Sequence, residues 1–70
     1  MEVEKHLLIT GSSNVSWKDA IVKTIAEASK SIDYLKFVKV LNQYGDISGN
    51  RITMYHVDLD ISFVVDPTRS

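Results

Sequence analysis

Asp58 and Asp60 stand two positions apart in a stretch of alternating polarity, next to His56 and in step with it, so all three side chains would leave one face of a β-strand. Carboxylates in such a row can offer oxygen ligands to calcium or magnesium. The same spacing equally makes the ordinary polar face of a strand. His56 could exchange a hydrogen bond with a ligand, or stand at an interface or in solvent; at an interface its titration would make association depend on pH. Phe37, near the start of a second apolar stretch, could stack on a flat ligand or pack within or between subunits. The other histidine, His6, makes no HxxxH or HxH spacing with His56, so a structural zinc site is not expected. The chain has no cysteine, which excludes disulfides, thiolate nucleophiles and iron–sulfur clusters together.

Catalysis finds little support in the residues. Ser12, Ser13 and Ser16 lie outside any Gly-x-Ser-x-Gly turn, and no local feature marks Asp58 or Asp60 as a general acid. Gly11-Ser12-Ser13 ahead of a helix could hold a phosphate on backbone N–H groups, but a single glycine there suits a plain strand-to-helix connection. The expectation is a protein that is not an enzyme.

These side chains need elements to position them. Val3 to Thr10 mixes alternation with the apolar run Leu7-Leu8-Ile9, as a strand does, and Gly11-Ser12-Ser13-Asn14 reads as a turn. Ser16 is placed as a helix N-cap, with Asp19 three residues on as the acidic half of a capping box and Val15 and Ala20 as a weak hydrophobic staple. The helix should run from Trp17 to about Ile32, with Trp17, Ala20, Ile21, Thr24, Ile25, Ala28 and Ile32 on one stripe and Lys18, Lys23, Glu27 and Lys30 opposite. A second strand is expected over Lys36–Tyr44, a loop over Gly45–Asn50, and a third strand over Arg51–Val65. In that last strand Val57, Leu59, Ile61, Phe63 and Val65 share one face, while His56, Asp58, Asp60 and Ser62 share the other. Its length, roughly 50 Å when extended, requires it to bend around the helix or reach beyond its own subunit. With the order strand, helix, strand, strand, an all-antiparallel sheet puts this third strand in the middle. Trp17 is expected to bury against the strands, and Tyr34, Tyr44 and Tyr55 to stand at subunit contacts. Residues 1–65 make one domain, and Pro67 stops the last strand ahead of a loose tail over 66–70.

Size and charge narrow the class further. Seventy residues, of which 44% are hydrophobic, cannot bury their apolar surface alone, and without disulfides the remaining remedy is self-association. Eight basic and nine acidic residues are interspersed, giving a formal net charge of −1, so no basic face for nucleic acid is expected. No apolar stretch approaches the ~20 residues of a membrane helix, and Met1–His6 lacks a secretory pattern. A cytoplasmic protein is expected.

The stretch Leu7-Leu8-Ile9-Thr10-Gly11-Ser12-Ser13, then Ser16-Trp17-Lys18-Asp19-Ala20, the helix end Glu27–Ile32, and Tyr55-His56-Val57-Asp58-Leu59-Asp60-Ile61-Ser62-Phe63 together resemble the dodecin family. The resemblance covers about residues 5–65. It implies an α+β subunit of β-α-β-β order, a three-stranded antiparallel sheet partly wrapped around one amphipathic helix, assembled as a hollow homododecamer. It also implies binding and storage of a flavin (riboflavin, FMN or FAD) between an aromatic residue of the second strand and a glutamine of the third. Those positions hold Phe37 and His56 here, and Asn42 stands where some relatives have a cation-binding acid. A second branch, the calcium dodecins, shares the assembly and lacks the flavin pair; the Ser-Trp-x-x-Ala helix start is closer to it. Two functions follow from the resemblance: a flavin-type storage shell held through Phe37 and His56, or a structural or calcium-stabilised assembly without an organic cofactor. The residues themselves offer Asp58 and Asp60 as the candidate metal ligands.

Overall fold

Strand β1 (Val3–Ser13), helix α1 (Trp17–Ser29) and strands β2 (Leu35–Ser48) and β3 (Arg51–Val65) follow one another in a computed structural model that describes residues 3–65. The tail expected at 66–70 lies outside the described residues. The sheet is antiparallel throughout, in the order β1-β3-β2. The long alternating strand is therefore the central one, as its two-faced pattern required. Val57, Leu59 and Ile61 of β3 are fully buried against Ala20 and Ala28 of α1, with Ile9, Trp17, Ile21, Ile25 and Leu35 around them. Phe63 is partly buried and Val65 is exposed, because the apolar face of β3 outruns the helix that covers it.

The helix stripe runs as expected as far as Ala28, with Ile32 beyond the helix end, and its deepest members are the small ones: Ala20, Thr24 and Ala28 are buried, while Trp17, Ile21 and Ile25 flank them. The reason lies in Gly11. This residue is not in a turn; β1 continues through it to Ser13, and Gly11 pairs with Val57 directly under the helix. A β-carbon there would coincide with Thr24 Oγ1 and crowd the Ala20 carbonyl, so the glycine is what lets helix and sheet approach closely.

Ser16 caps the helix, its Oγ accepting from the Asp19 N–H at 2.9 Å. Asp19 does not complete a capping box. Strand β1 carries the buried Ser13 to the helix start, and Ser13 Oγ donates to Asp19 Oδ2 while Lys23 Nζ lies 3.1 Å from the same oxygen. Val15 is 64% exposed, so the expected staple contributes little. The Ser13 hydroxyl first, and then Lys23, hold the Asp19 carboxyl below its usual value. A carboxyl whose pKa falls on folding adds stability that is complete above its unfolded value, about 3.9, and is lost as pH drops through the lower folded value. Unfolding measured against pH should therefore show wild type more stable than Asp19→Asn near neutrality, with the gap closing below about pH 4.

Helix α1 ends at Ser29, one turn before the expected Ile32. Ser29 Oγ donates to the Ala26 carbonyl, and the N–H groups of Lys30 and Ser31 fall back on residues three earlier, tightening the last turn. Tyr34 then takes a left-handed conformation (φ 61°), and its carbonyl accepts from the Val64 N–H at 3.3 Å, which turns the chain into β2.

The expected loop over Gly45–Asn50 is mostly strand. β2 runs on to Ser48, and the connection shrinks to Gly49 (φ 60°) and Asn50 (φ 64°), a pair in the left-handed region that a tight hairpin turn demands. The hairpin thus extends well past the helix. The subunit measures 54 × 19 × 12 Å, and its radius of gyration of 14.6 Å exceeds the ~11 Å of a compact chain of this length. Every residue of β2 except Leu35 is exposed, among them Phe37, Val38, Val40, Leu41, Tyr44 and Ile47. No helix among the described residues is long and apolar enough to cross a membrane.

Candidate functional site

The face of the sheet turned away from α1 carries the polar residues of β3, and register sorts them into rows across three strands. Ser62 lies between His6 and Phe37, Asp60 between Leu8 and Lys39, Asp58 between Thr10 and Asn42, and His56 between Ser12 and Tyr44. The irregularity between Val40 and Asn42 decides this arrangement: it moves β2 by one residue, so Asn42 rather than Leu41 stands opposite Asp58.

Each acid is already engaged. Thr10 Oγ1 donates to Asp58 Oδ1 at 2.9 Å and Asn42 Nδ2 to Asp58 Oδ2 at 3.2 Å. His6 Nδ1 lies 2.8 Å from Asp60 Oδ1, and its Nε2 lies 3.4 Å from Glu4, which Lys36 also reaches at 3.3 Å. Among the described residues no three His, Cys, Asp or Glu side chains converge as a metal-binding group. A calcium ion wants six to eight oxygen ligands, and the Asp58 row offers one carboxylate, one hydroxyl and one amide. One subunit alone does not fit the ion.

His56 is held more tightly than the sequence suggested. Its Nδ1 is 2.7 Å from Ser12 Oγ, its Nε2 is 3.1 Å from Asp46 Oδ2, and the Tyr44 ring stacks on it at 5.0 Å. Phe37 is about half exposed and meets only the edge of His6, with centroids 6.2 Å apart. Phe37 pairs with Ser62 and so stands six residues along β3 from His56, about 20 Å at strand rise. One subunit does not bring the two together. Ser62 Oγ, between His6 and Phe37, is fully buried without a hydrogen-bond partner.

Trp17 lies against the hairpin, as expected of it: its ring meets Tyr55 edge-on at 4.8 Å and its Nε1 donates to the Tyr44 carbonyl at 2.9 Å. Ser12 and Asp46 were not singled out together with His56 by sequence reading. Their only signal would have been the strand register, which the misplaced turn at Gly11 and loop at Gly45 concealed.

A long central strand under one helix, with this connectivity, is matched along almost the whole chain by one family: the Dodecin family profile covers residues 3–66. The chain belongs to the dodecin family. It is 31% identical over 70 residues to the calcium dodecin of Mycobacterium tuberculosis, spanning 99% of this chain and 97% of that one. Its fold matches a point mutant of the T. thermophilus dodecin with a TM-score of 0.89 at 26% identity, covering 94% and 98% of the two chains. The crystal structure of the M. tuberculosis calcium dodecin matches with a TM-score of 0.79 at 26% identity, covering 97% of each. The α+β dodecin fold expected from the sequence is the fold observed. In this dodecin His56 is already engaged by Ser12 and Asp46, and Phe37 meets only the edge of His6.

Proposed function

We propose that this dodecin is a closed homododecamer of the non-flavin kind, a structural assembly that neighbouring subunits stabilise with calcium. The observation that carries it is His56: both ring nitrogens are taken by Ser12 and Asp46, and Tyr44 covers the ring face. A glutamine amide offers a donor and an acceptor side by side, matching a flavin's pyrimidine edge; this imidazole has neither free. Its likeness to a calcium dodecin supports the same branch. Assembly answers the exposed apolar residues of β2 and the hairpin that outruns its own helix, since closed symmetry covers edges and apolar surface together. Asp58 and Asp60 would ligate a cation only with oxygen atoms from adjoining subunits completing the shell.

Two measurements test this. Riboflavin titrated with purified protein should keep its fluorescence up to tens of micromolar (~10⁻⁵ M, weaker than about −7 kcal/mol of binding). Saturable quenching abolished by Phe37→Ala would instead restore the flavin reading through Phe37 and His56. Light-scattering mass should report a dodecamer whose unfolding midpoint rises with added calcium and falls with chelator; a mass of one to three subunits, or a midpoint indifferent to calcium, overturns the assembly or the cation respectively.

A further inference from the structure

Folding gathers around His56 two groups that lie 44 and 10 residues from it in the chain. A carboxylate can only accept, so Asp46 Oδ2, at 3.1 Å, draws the imidazole proton to Nε2 and leaves the Nδ1 lone pair facing the Ser12 hydroxyl at 2.7 Å. The ring cannot easily turn away. Tyr44 stacks on it with planes 24° apart, and the Tyr44 carbonyl is itself tied to the helix by Trp17 Nε1. Ser12 stands directly opposite His56 in the β1–β3 register, so backbone pairing fixes the distance between them. A hydroxyl within hydrogen-bond reach of a base that a third group orients is the arrangement that activates a serine nucleophile. Exposure divides the roles usefully: Ser12 is exposed, whereas the His56 side chain is only 20% exposed and is shielded from competing water.

We propose that Ser12 is a reactive serine that accepts acyl groups from activated esters and thioesters, with His56 as its base and Asp46 as the positioning residue. This goes beyond the assembly role and does not depend on the ligand that the shell carries. In the step, Ser12 Oγ forms a bond to the acyl carbon while the bond from that carbon to the leaving oxygen or sulfur breaks. The Ser12 proton passes to His56 Nδ1 and from there to the departing alkoxide, phenolate or thiolate. Nothing is oxidised or reduced. Water deprotonated by the same nitrogen then releases the carboxylic acid and returns the free hydroxyl.

The test uses the assembled full-length protein, p-nitrophenyl acetate as the probe, and peptide mass spectrometry to locate the acetyl group. Wild type should carry acetyl on Ser12, the hydroxyl that faces His56 Nδ1 at 2.7 Å. His56→Gln should slow acetylation at Ser12 by at least about 100-fold. Asp46→Asn alters a carboxylate that is 65% exposed, so the fold survives even if His56→Gln fails to assemble, and it should slow the same labelling several-fold. Acetyl groups confined to lysines and the N-terminus overturn the proposal. So does Ser12 labelling that proceeds equally in Asp46→Asn and, where it folds, His56→Gln, because a merely structural hydrogen bond would change stability and leave the labelling rate alone.

Discussion

Leu59→Ala will lower subunit stability by about 3 kcal/mol, within the ~2–5 kcal/mol found when a leucine is truncated in a core. Leu59 is fully buried at the centre of β3, paired with Ile9 on one side and Val40 on the other, under Ala20 and Ala28 of the helix. Its removal loses apolar burial and leaves a cavity that a helix pinned through Ala20, Thr24 and Ala28 cannot easily fill. In a chain of 70 residues that loss is a large share of the total. Denaturant unfolding at matched subunit concentration measures it, because association adds stability that varies with concentration. A midpoint within experimental error of wild type would remove Leu59 from the core.

Gly11→Ala, the addition of a single methyl group, will cost about 2–3 kcal/mol, at the upper end of overpacking penalties. The new carbon overlaps Thr24 Oγ1, approaches Thr24 Cβ to 3.0 Å and meets the Ala20 carbonyl oxygen at 3.3 Å. Thr24 cannot simply swing aside without giving up its 2.7 Å hydrogen bond to that same carbonyl. Thr24→Ala should therefore recover part of the loss in the double variant, and the coupling between the two sites, measured as a double-mutant cycle, should be favourable. Additive effects would show that the helix does not rest on Gly11. The remaining contact with the Ala20 backbone keeps the rescue incomplete.

How far the sequence carried the reading differs from residue to residue. The alternation of Val57, Leu59 and Ile61 against His56, Asp58 and Asp60 survives folding unchanged, because side chains on a strand must alternate whatever the tertiary context. Ser16 caps the helix because its preference for that place is local. The glycines misled. Gly11 read as punctuation and proved to be a point of close packing; Gly45 read as the start of a loop and proved to lie inside β2, opposite Tyr55. Local pattern cannot tell a glycine that turns the chain from one that makes room for a neighbour, since the neighbour is distant in sequence.

The candidate site was legible in part for the same reason. Phe37, His56, Asp58 and Asp60 could be named as chemistry-bearing residues, and the latter three as sharing a face. Their partners could not be named. Thr10 and Asn42 on Asp58, His6 on Asp60, and Ser12 and Asp46 on His56 are all contacts between strands.

The sequence by itself determined the dodecin subunit: one amphipathic helix, a long two-faced central strand, and no cysteine chemistry. Only the tertiary structure decided what His56 touches and that Phe37 lies far from it. Periodicity is a property of each strand alone, whereas these contacts depend on register between strands. Register here turns on a two-residue hairpin turn at Gly49-Asn50, a strand that continues through Gly11, and an irregularity between Val40 and Asn42 that sets Asn42 opposite Asp58 and Tyr44 opposite His56.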